Sequence, residues 1–236
     1  MAEIKFDNVL LEEVAPHIKI DDIVVSPLSY NATVNDRPTQ PGRFFVRQTA
    51  ASRTVTITFA LLTDNRDDRE AELQAIRDWA KTDKEYVMNL PHSSVRHLEC
   101  VCTEHPESSY RQWWQNRMRL VFTCYNNPFW TSDDLIQARC GQEFSVSGSA
   151  PPLMTITRNL LSAAQSQSYS NGTETMIFTT IPAGNLEIDL NRRTAAIGGT
   201  SIAQYITPTS RFLTPAVGGR QVIRGTGFVN IRERWV

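Results

Sequence analysis

Apolar and polar side chains alternate strictly along residues 53–62, "RTVTITFALL". The apolar members fall on one face of an extended chain, and they are Val55, Ile57, Phe59 and Leu61. The threonines between them fall on the other face, and they are Thr54, Thr56 and Thr58. A period of two residues with several β-branched side chains predicts a strand. A second apolar run, "PGRFFVRQ" at 41–48, precedes it, so we predict a long β-hairpin over about residues 43–62.

The segment that follows has the period of an α-helix. Its apolar residues recur at helical spacing and form one stripe: Leu73, Ile76, Trp79 and Ala80. Asn65 or Asp64 is suited to cap the first turn, which also carries Asp67 and Asp68. Lys81 lies at the expected end, where a positive charge favours the helix dipole. We therefore predict one helix between about residues 65 and 81.

Further strands are predicted at 85–90, 96–102 and 117–124. In the last of these, Met118, Leu120 and Phe122 share one face. From about residue 136 the sequence shows no helical pattern, only short alternating runs separated by Gly, Pro and Ser. Many short strands with turn residues between them favour an antiparallel sandwich.

These patterns predict a mainly β protein with two domains. Residues 1–133 are expected to form an α+β domain that contains a β-sandwich or barrel, a long hairpin and one helix. Residues 134–236 are expected to form an antiparallel β-sandwich.

The stretch "CYNNPFW" at 124–130 lies at the join of the two predicted domains. Pro128 favours an extended residue before it and ends the preceding strand. Phe129 and Trp130 place two large apolar rings where a simple linker needs none. Burial of such a ring contributes about 1.5–3 kcal/mol. We predict that Pro128, Phe129 and Trp130 pack between the domains.

Composition, charge and motifs exclude several classes of function. The 236 residues carry 24 basic and 25 acidic side chains, a balance that gives no reason to expect nucleic-acid binding. The N-terminus is acidic and lacks the apolar core of a signal peptide, so we expect the chain to fold where it is made. No apolar run approaches the roughly 20 residues of a membrane span. Because no catalytic or cofactor motif is present, we predict a protein that is not an enzyme and binds no cofactor or metal.

The four cysteines could be metal ligands or buried structural side chains. Cys100 and Cys102 alternate along a predicted strand and would point to one face, with His97 and His105 nearby in sequence. A zinc site is one possibility, but a C-x-C pair without a second pair of ligands is a weak signal. Buried thiols that act as small apolar side chains are the better interpretation.

Several motifs, taken in order, resemble those of the distal tail (Dit) proteins of long-tailed, non-contractile phages. The first is "PGRFF" and "SRTVTITFALL" followed by the helix that ends in "IRDWAK". The next are "FTCYNNPFW" and "IPAGNLEIDLNRRTAAIGG". The last is "SRFLTPAVGGRQVI", which leads to the closing "VNIRERWV". Each motif is short, but their order and spacing make the resemblance specific.

The resemblance implies a structural role. Family members form a six-subunit ring at the tip of the tail, joining the tail tube to the baseplate hub or tail-associated protein, and DNA passes through the bore. It implies that the first domain builds the ring and that the second is a galectin-like sandwich. It also implies possible contact with the tape measure protein, a location at the virion tail tip and assembly in the bacterial cytoplasm. The threonine face of the hairpin, Thr54, Thr56 and Thr58, is our candidate ring interface.

Two other functions remain open at this stage. One is a host-recognition module that binds cell-surface carbohydrate through exposed aromatic residues such as Tyr169, Tyr205 or Trp130, or through Trp113 or Trp114. Galectin-type sugar binding is not expected, because residues 134–236 contain no histidine. The other is a hydrolase that uses carboxylates such as Glu187 and Asp189. No motif supports it.

Overall fold

The computed structural model describes residues 3–36, 43–91, 93, 95–106, 117–163 and 166–236. The chain forms two compact units, Met1–Trp130 and Thr131–Val236. The sequence placed the division a little later, after residue 133. Both units consist mostly of antiparallel strands, which confirms the mainly β class.

The first unit contains these elements: β1 (Lys5–Phe6), β2 (Val9–Leu10), α1 (Leu11–Val14), β3 (Ile18–Val25), β4 (Tyr30–Asp36), β5 (Arg43–Ala50), β6 (Arg53–Leu61), α2 (Arg66–Ala80), β7 (Tyr86–Asn89), β8 (Arg96–Glu104) and β9 (Met118–Cys124). Strand β10 (Trp130–Ser132) begins at Trp130, the last residue of the first unit. Antiparallel pairing joins the strands in the order β2-β1-β7-β8-β9-β6-β3. Helix α2 packs against this sheet.

Strand β6 holds the sheet together because it is paired along both edges. Val55 lies opposite Val25 on β3 and opposite Phe122 on β9. Its apolar side chains are buried, with 0% of Val55, Ile57 and Phe59 exposed. The predicted strand and its inward face are therefore confirmed.

The predicted hairpin over 43–62 is wrong in its pairing. Strand β5 pairs with β4 and not with β6, and the two run one after the other, separated only by Ala51 and Ser52. The physical reason lies in "TAAS", which contains no Gly or Asn and no residue with positive φ, so the chain continues without the turn that a tight hairpin needs. The true hairpin joins β3 and β4 to β5 and β6, and residues 37–42 at its connection lie outside the described residues.

Helix α2 matches the prediction closely. The Asp68 N–H donates to Asn65 Oδ1 at 2.8 Å, and Asn65 has the extended backbone of an N-cap. Leu73, Ile76 and Ala80 are all 0% exposed. The expectation of a single helix in this domain is wrong, since Leu11–Val14 forms a one-turn helix. Four residues are too few to show a helical period, so periodicity could not predict this helix.

Aromatic rings join α2 to the sheet. The Phe6 ring centroid lies 5.5 Å from that of Trp79 on α2 and 5.0 Å from that of Phe122 on β9. Tyr86 completes the cluster at 6.0 Å from Phe6. The Trp79 indole N–H donates to the carbonyl of Val9 at 3.2 Å, so this large ring is fixed at both its apolar and its polar end.

The second unit contains only strands and one 3₁₀ turn among its described residues. They are β11 (Ile136–Arg139), β12 (Glu143–Val146), β13 (Ala150–Leu160), β14 (Gln167–Ser170), β15 (Thr175–Phe178), β16 (Gly184–Asp189), β17 (Thr194–Ile197), β18 (Thr200–Ser201), the turn Ala203–Tyr205, β19 (Gly219–Val222) and β20 (Phe228–Trp235). The main sheet has the order β18-β17-β16-β13-β20-β11, and the pairs β12–β19 and β14–β15 form separate ribbons. Alternate residues of each long strand fill one core, among them Ile156, Leu186, Ile188 and Ile231.

The first testable feature is an ion pair between the turn before β3 and helix α2. His17 Nδ1 bonds Glu72 Oε1, and this hydrogen bond, with the charge of Glu72 as a second cause, raises the pKa of His17. A raised pKa in the folded state means that the pair stabilises the fold fully below the unfolded pKa of about 6.5. That stability is lost as the pH rises through the higher folded pKa. We expect His17→Gln to lower the unfolding temperature at pH 6 and to have much less effect at pH 9.

Thermal unfolding of both proteins at the two pH values measures this difference. Lys19→Gln, an exposed change two residues further along the chain, is the control. A His17→Gln effect of equal size at both pH values would show that the ion pair is not its cause.

The second testable feature is the helix cap. Replacing Asn65 by Ala removes the acceptor for the Asp68 N–H and should lower the free energy of unfolding by about 1 kcal/mol. Asn65→Ser keeps an oxygen in place and should cost much less. Denaturant unfolding of the two variants separates loss of the cap from any other consequence of the change.

Candidate assembly surfaces

The most distinctive surface of the first unit is the ribbon formed by β4 and β5, here called the arm (Tyr30–Asp36 and Arg43–Ala50). The two strands pair from Tyr30 opposite Ala50 to Asp36 opposite Arg43, with one register shift after Thr33. They pair with no other strand among the described residues. The arm is anchored at one end, because the Ala51 N–H donates to Ser29 O at 2.9 Å. It is thus a continuation of β3 and β6 beyond the sheet.

The arm exposes apolar side chains that a lone ribbon cannot bury. Tyr30, Val34 and Val46 are 46%, 42% and 47% exposed. Exposed strand edges that are long and apolar favour pairing with another chain. An isolated two-stranded ribbon is only marginally stable in water. These properties are typical of a strand pair that is completed by another chain.

The predicted interface residues Thr54, Thr56 and Thr58 lie on the outward face of β6 and are half-buried. Both edges of β6 are occupied: Thr56 lies opposite Val24 on one side and Val121 on the other. The backbone of this strand therefore cannot pair with a neighbouring subunit. A ring contact through the threonine side chains stays a prediction.

A carboxylate holds the backbone of the segment 124–130, here called the junction, by accepting hydrogen bonds from it. Glu85 Oε1 accepts the N–H groups of Tyr125 at 2.5 Å and of Asn126 at 3.0 Å, and Glu85 Oε2 accepts the Asn126 side-chain amide at 2.6 Å. Pro128 is buried, Phe129 is half-buried, and Trp130 packs against the core of the first unit. Packing of these residues between the domains stays a prediction.

The aromatic and acidic residues considered for sugar binding or hydrolysis are placed differently from those expectations. Tyr169 is 0% exposed in the core of the second unit, so its expected role as an exposed aromatic is wrong. Tyr205 is half-buried against the same core. Asp189 Oδ1 accepts the N–H groups of Asn191 and Arg192 at 2.9 Å, which is a turn-forming role. Trp113 and Trp114 lie outside the described residues.

The cysteines are all free. Cys100 and Cys124 are 0% exposed, and the hydrogen bond between their thiols, together with burial, raises the pKa of Cys100. Burial raises the pKa of the half-buried Cys102 to about 11. Among the described residues no group of three or more His, Cys, Asp or Glu is arranged to hold a metal ion. No described helix is both long and apolar enough to span a membrane.

No family model matches the sequence, and no curated protein sequence matches it. The fold, however, matches a solved structure over 100% of both chains: the SPP1 Dit (gp 19.1) protein, described as a paradigm of the hub adsorption apparatus in phages that infect Gram-positive bacteria. The TM-score is 0.75 and the identity 11%.

A second match is a chain of the phage p2 baseplate in its activated conformation, solved with Sr and with Ca. Its TM-score is 0.55 at 7% identity, covering 99% of this chain and 98% of that chain. At these identities the similarity shows the fold. The chain has a Dit-like fold, which confirms the resemblance found in its motifs.

Glu85 offers a direct test of how the junction is held. Glu85→Ala removes the acceptor for the N–H groups of Tyr125 and Asn126. Because both residues are exposed and water can replace the carboxylate, we expect a loss of about 0.5–1.5 kcal/mol in the free energy of unfolding. Glu85→Gln retains one carbonyl oxygen and should cost less. Denaturant unfolding gives both values, and equal stability of the wild type and Glu85→Ala would exclude a structural role for these bonds.

Proposed function

We propose that this chain is a structural protein of a phage tail tip that assembles with copies of itself into a closed ring. The Dit-like fold, matched over the full length of both chains, supports the tail-tip assignment. The observation that carries the ring is the arm, whose apolar residues and strand edges have no cover among the described residues.

A closed ring requires two different complementary surfaces on each subunit, because the contacts run head to tail. The arm supplies one of them. Strand addition to a neighbour satisfies the free backbone groups of its edges. Because Val34 and Val46 are 42% and 47% exposed, burying the rest of each side chain contributes about 1 kcal/mol. The outward threonine face, Thr54, Thr56 and Thr58, adds side-chain contacts in this proposal.

The finer assignments follow the family resemblance. In this proposal the ring has six subunits and is built by residues 1–133, while residues 134–236 form a galectin-like domain, and Pro128, Phe129 and Trp130 pack between the two. The ring joins the tail tube to the baseplate hub or tail-associated protein, with the tape measure protein as a further partner. DNA passes through its bore without sequence-specific recognition. Assembly takes place in the bacterial cytoplasm, and the role is not enzymatic.

The carbohydrate-binding alternative is less favoured. Of the aromatic residues that it requires on the surface, Tyr169 is fully buried and both Tyr205 and Trp130 pack against a core.

Native mass spectrometry of the purified chain, followed by negative-stain imaging, tests the proposal. We expect a species of six times 26.7 kDa that forms ring-shaped particles. The double variant Val34→Asp and Val46→Asp places two charges on the arm and should yield monomers with unchanged far-UV circular dichroism.

Leu62→Asp is the matched control, because Leu62 is 62% exposed in the same unit but lies outside the arm. It should assemble like the wild type. Rings formed equally well by the arm variant would exclude the arm as the ring contact. A wild-type chain that remains monomeric, alone and with added tail tube protein, would contradict the ring itself.

A further inference from the structure

The second unit contains a cavity of about 600 Å³ that neither the fold similarity nor the ring proposal explains. Its floor is apolar and consists of buried residues: Met154, Leu190, Leu213 and Ile223. Its rim is formed by the turn 171–174, by residues 213–216 and by strand β19 with Arg224. Cavities that bind small molecules have this size and this combination of an apolar floor with a few polar groups.

Three arginines line the cavity: Arg211, Arg220 and Arg224. Arg220 Nε is 3.6 Å from Glu143 Oε1, but its side chain is 79% exposed, so this ion pair is weak. Neither Arg211 nor Arg224 has a carboxylate partner in the part of the chain that the structure describes. The rim therefore presents guanidinium groups whose charge is not neutralised locally.

Among the described residues Glu174 is the one acidic residue that lines the cavity, and its oxygens already accept hydrogen bonds. Oε2 accepts the Thr214 N–H at 2.5 Å and the Asn171 amide at 3.2 Å, and Oε1 accepts the Thr214 hydroxyl at 2.9 Å. Partial burial alone would raise the pKa of Glu174, but these hydrogen bonds outweigh it and lower the pKa. Glu174 thus remains ionised and joins two segments of the rim, so the cavity is formed before any ligand arrives.

We propose that this cavity is a binding site for an organic phosphate, the phosphate ester of a polyol or sugar. Arginine donates two parallel N–H groups to phosphate oxygens, and charge-assisted bonds of this kind are stronger than neutral ones. Two guanidinium groups without a carboxylate partner among the described residues, Arg211 and Arg224, and a third that is weakly paired favour a doubly charged anion over a single carboxylate. The carbon skeleton of the ligand covers the floor at Leu213 and Ile223. The site is independent of ring assembly, because all of its residues belong to the second unit.

Isotope-labelled full-length chain and sn-glycerol 3-phosphate provide the test, with titration followed by amide chemical shifts and calorimetry. We expect saturable binding, with shifts centred on Thr214, Val222 and Ile223. The double variant Arg211→Ala and Arg224→Ala should raise Kd by about tenfold or more, since hydrogen bonds to charged groups are lost. Arg139→Ala, an exposed arginine on β11 outside the cavity, is the matched control and should bind like the wild type.

Three further probes separate the sources of binding. Glycerol lacks the charge and should not bind. Inorganic phosphate lacks the carbon skeleton and should bind more weakly. Poly(glycerol phosphate) carries the same ester in a polymer and should compete with sn-glycerol 3-phosphate for the site. Absence of saturable binding to any phosphate ester would overturn the proposal. Equal affinity for glycerol, or affinity unchanged by the double variant, would also overturn it. A wild-type chain that forms rings but fails these tests would leave the ring proposal standing, so the two failures are distinguishable.

Discussion

The double pairing of strand β6 is the constraint on which the rest of the first unit depends. Because β3 and β9 occupy both of its edges, β6 can face only inward with its apolar residues and outward with its threonines. A one-residue slip would exchange these two faces and expose the core, so the register is strongly specified. The aromatic cluster of Phe6, Trp79 and Phe122 then packs α2 on the inner face. The core and the helix position both follow from this one strand.

The same constraint creates the arm. The chain enters β6 from β5 across two residues and passes from β3 to β4 across four, and of these four strands only β3 and β6 pair within the sheet. The ladder therefore continues past the sheet as a ribbon that has lost the support of a core. Isolated ribbons are weak in water, so this feature costs stability in a single subunit. In the proposed ring this cost would be offset, because a neighbouring chain would supply the missing pairing and burial.

In the second unit a buried core is combined with loops that are held by hydrogen bonds to one carboxylate. Its long strands β13, β16 and β20 bury alternate side chains in one core, while the turn at 171–174 and the loop at 213–216 are held together by Glu174. A carboxylate used in this way stabilises loops that have little apolar surface of their own. The result is a fixed concave surface whose free charges are positive, above an apolar floor.

Local patterns in the sequence predict much of this structure. The inward face of β6, the cap and stripe of α2 and the buried face of β9 were all predictable, because period and capping are properties of neighbouring residues. The partner of β5, the burial of Tyr169 and the cavity were not. The pairing of β5 with β4 depends on which strand edge is free. The burial of Tyr169 depends on the segments that pack over it. The cavity is lined by residues that are far apart in the sequence, from Met154 to Arg224. Periodicity states which face of a strand is buried, but only the tertiary structure decides what lies against it.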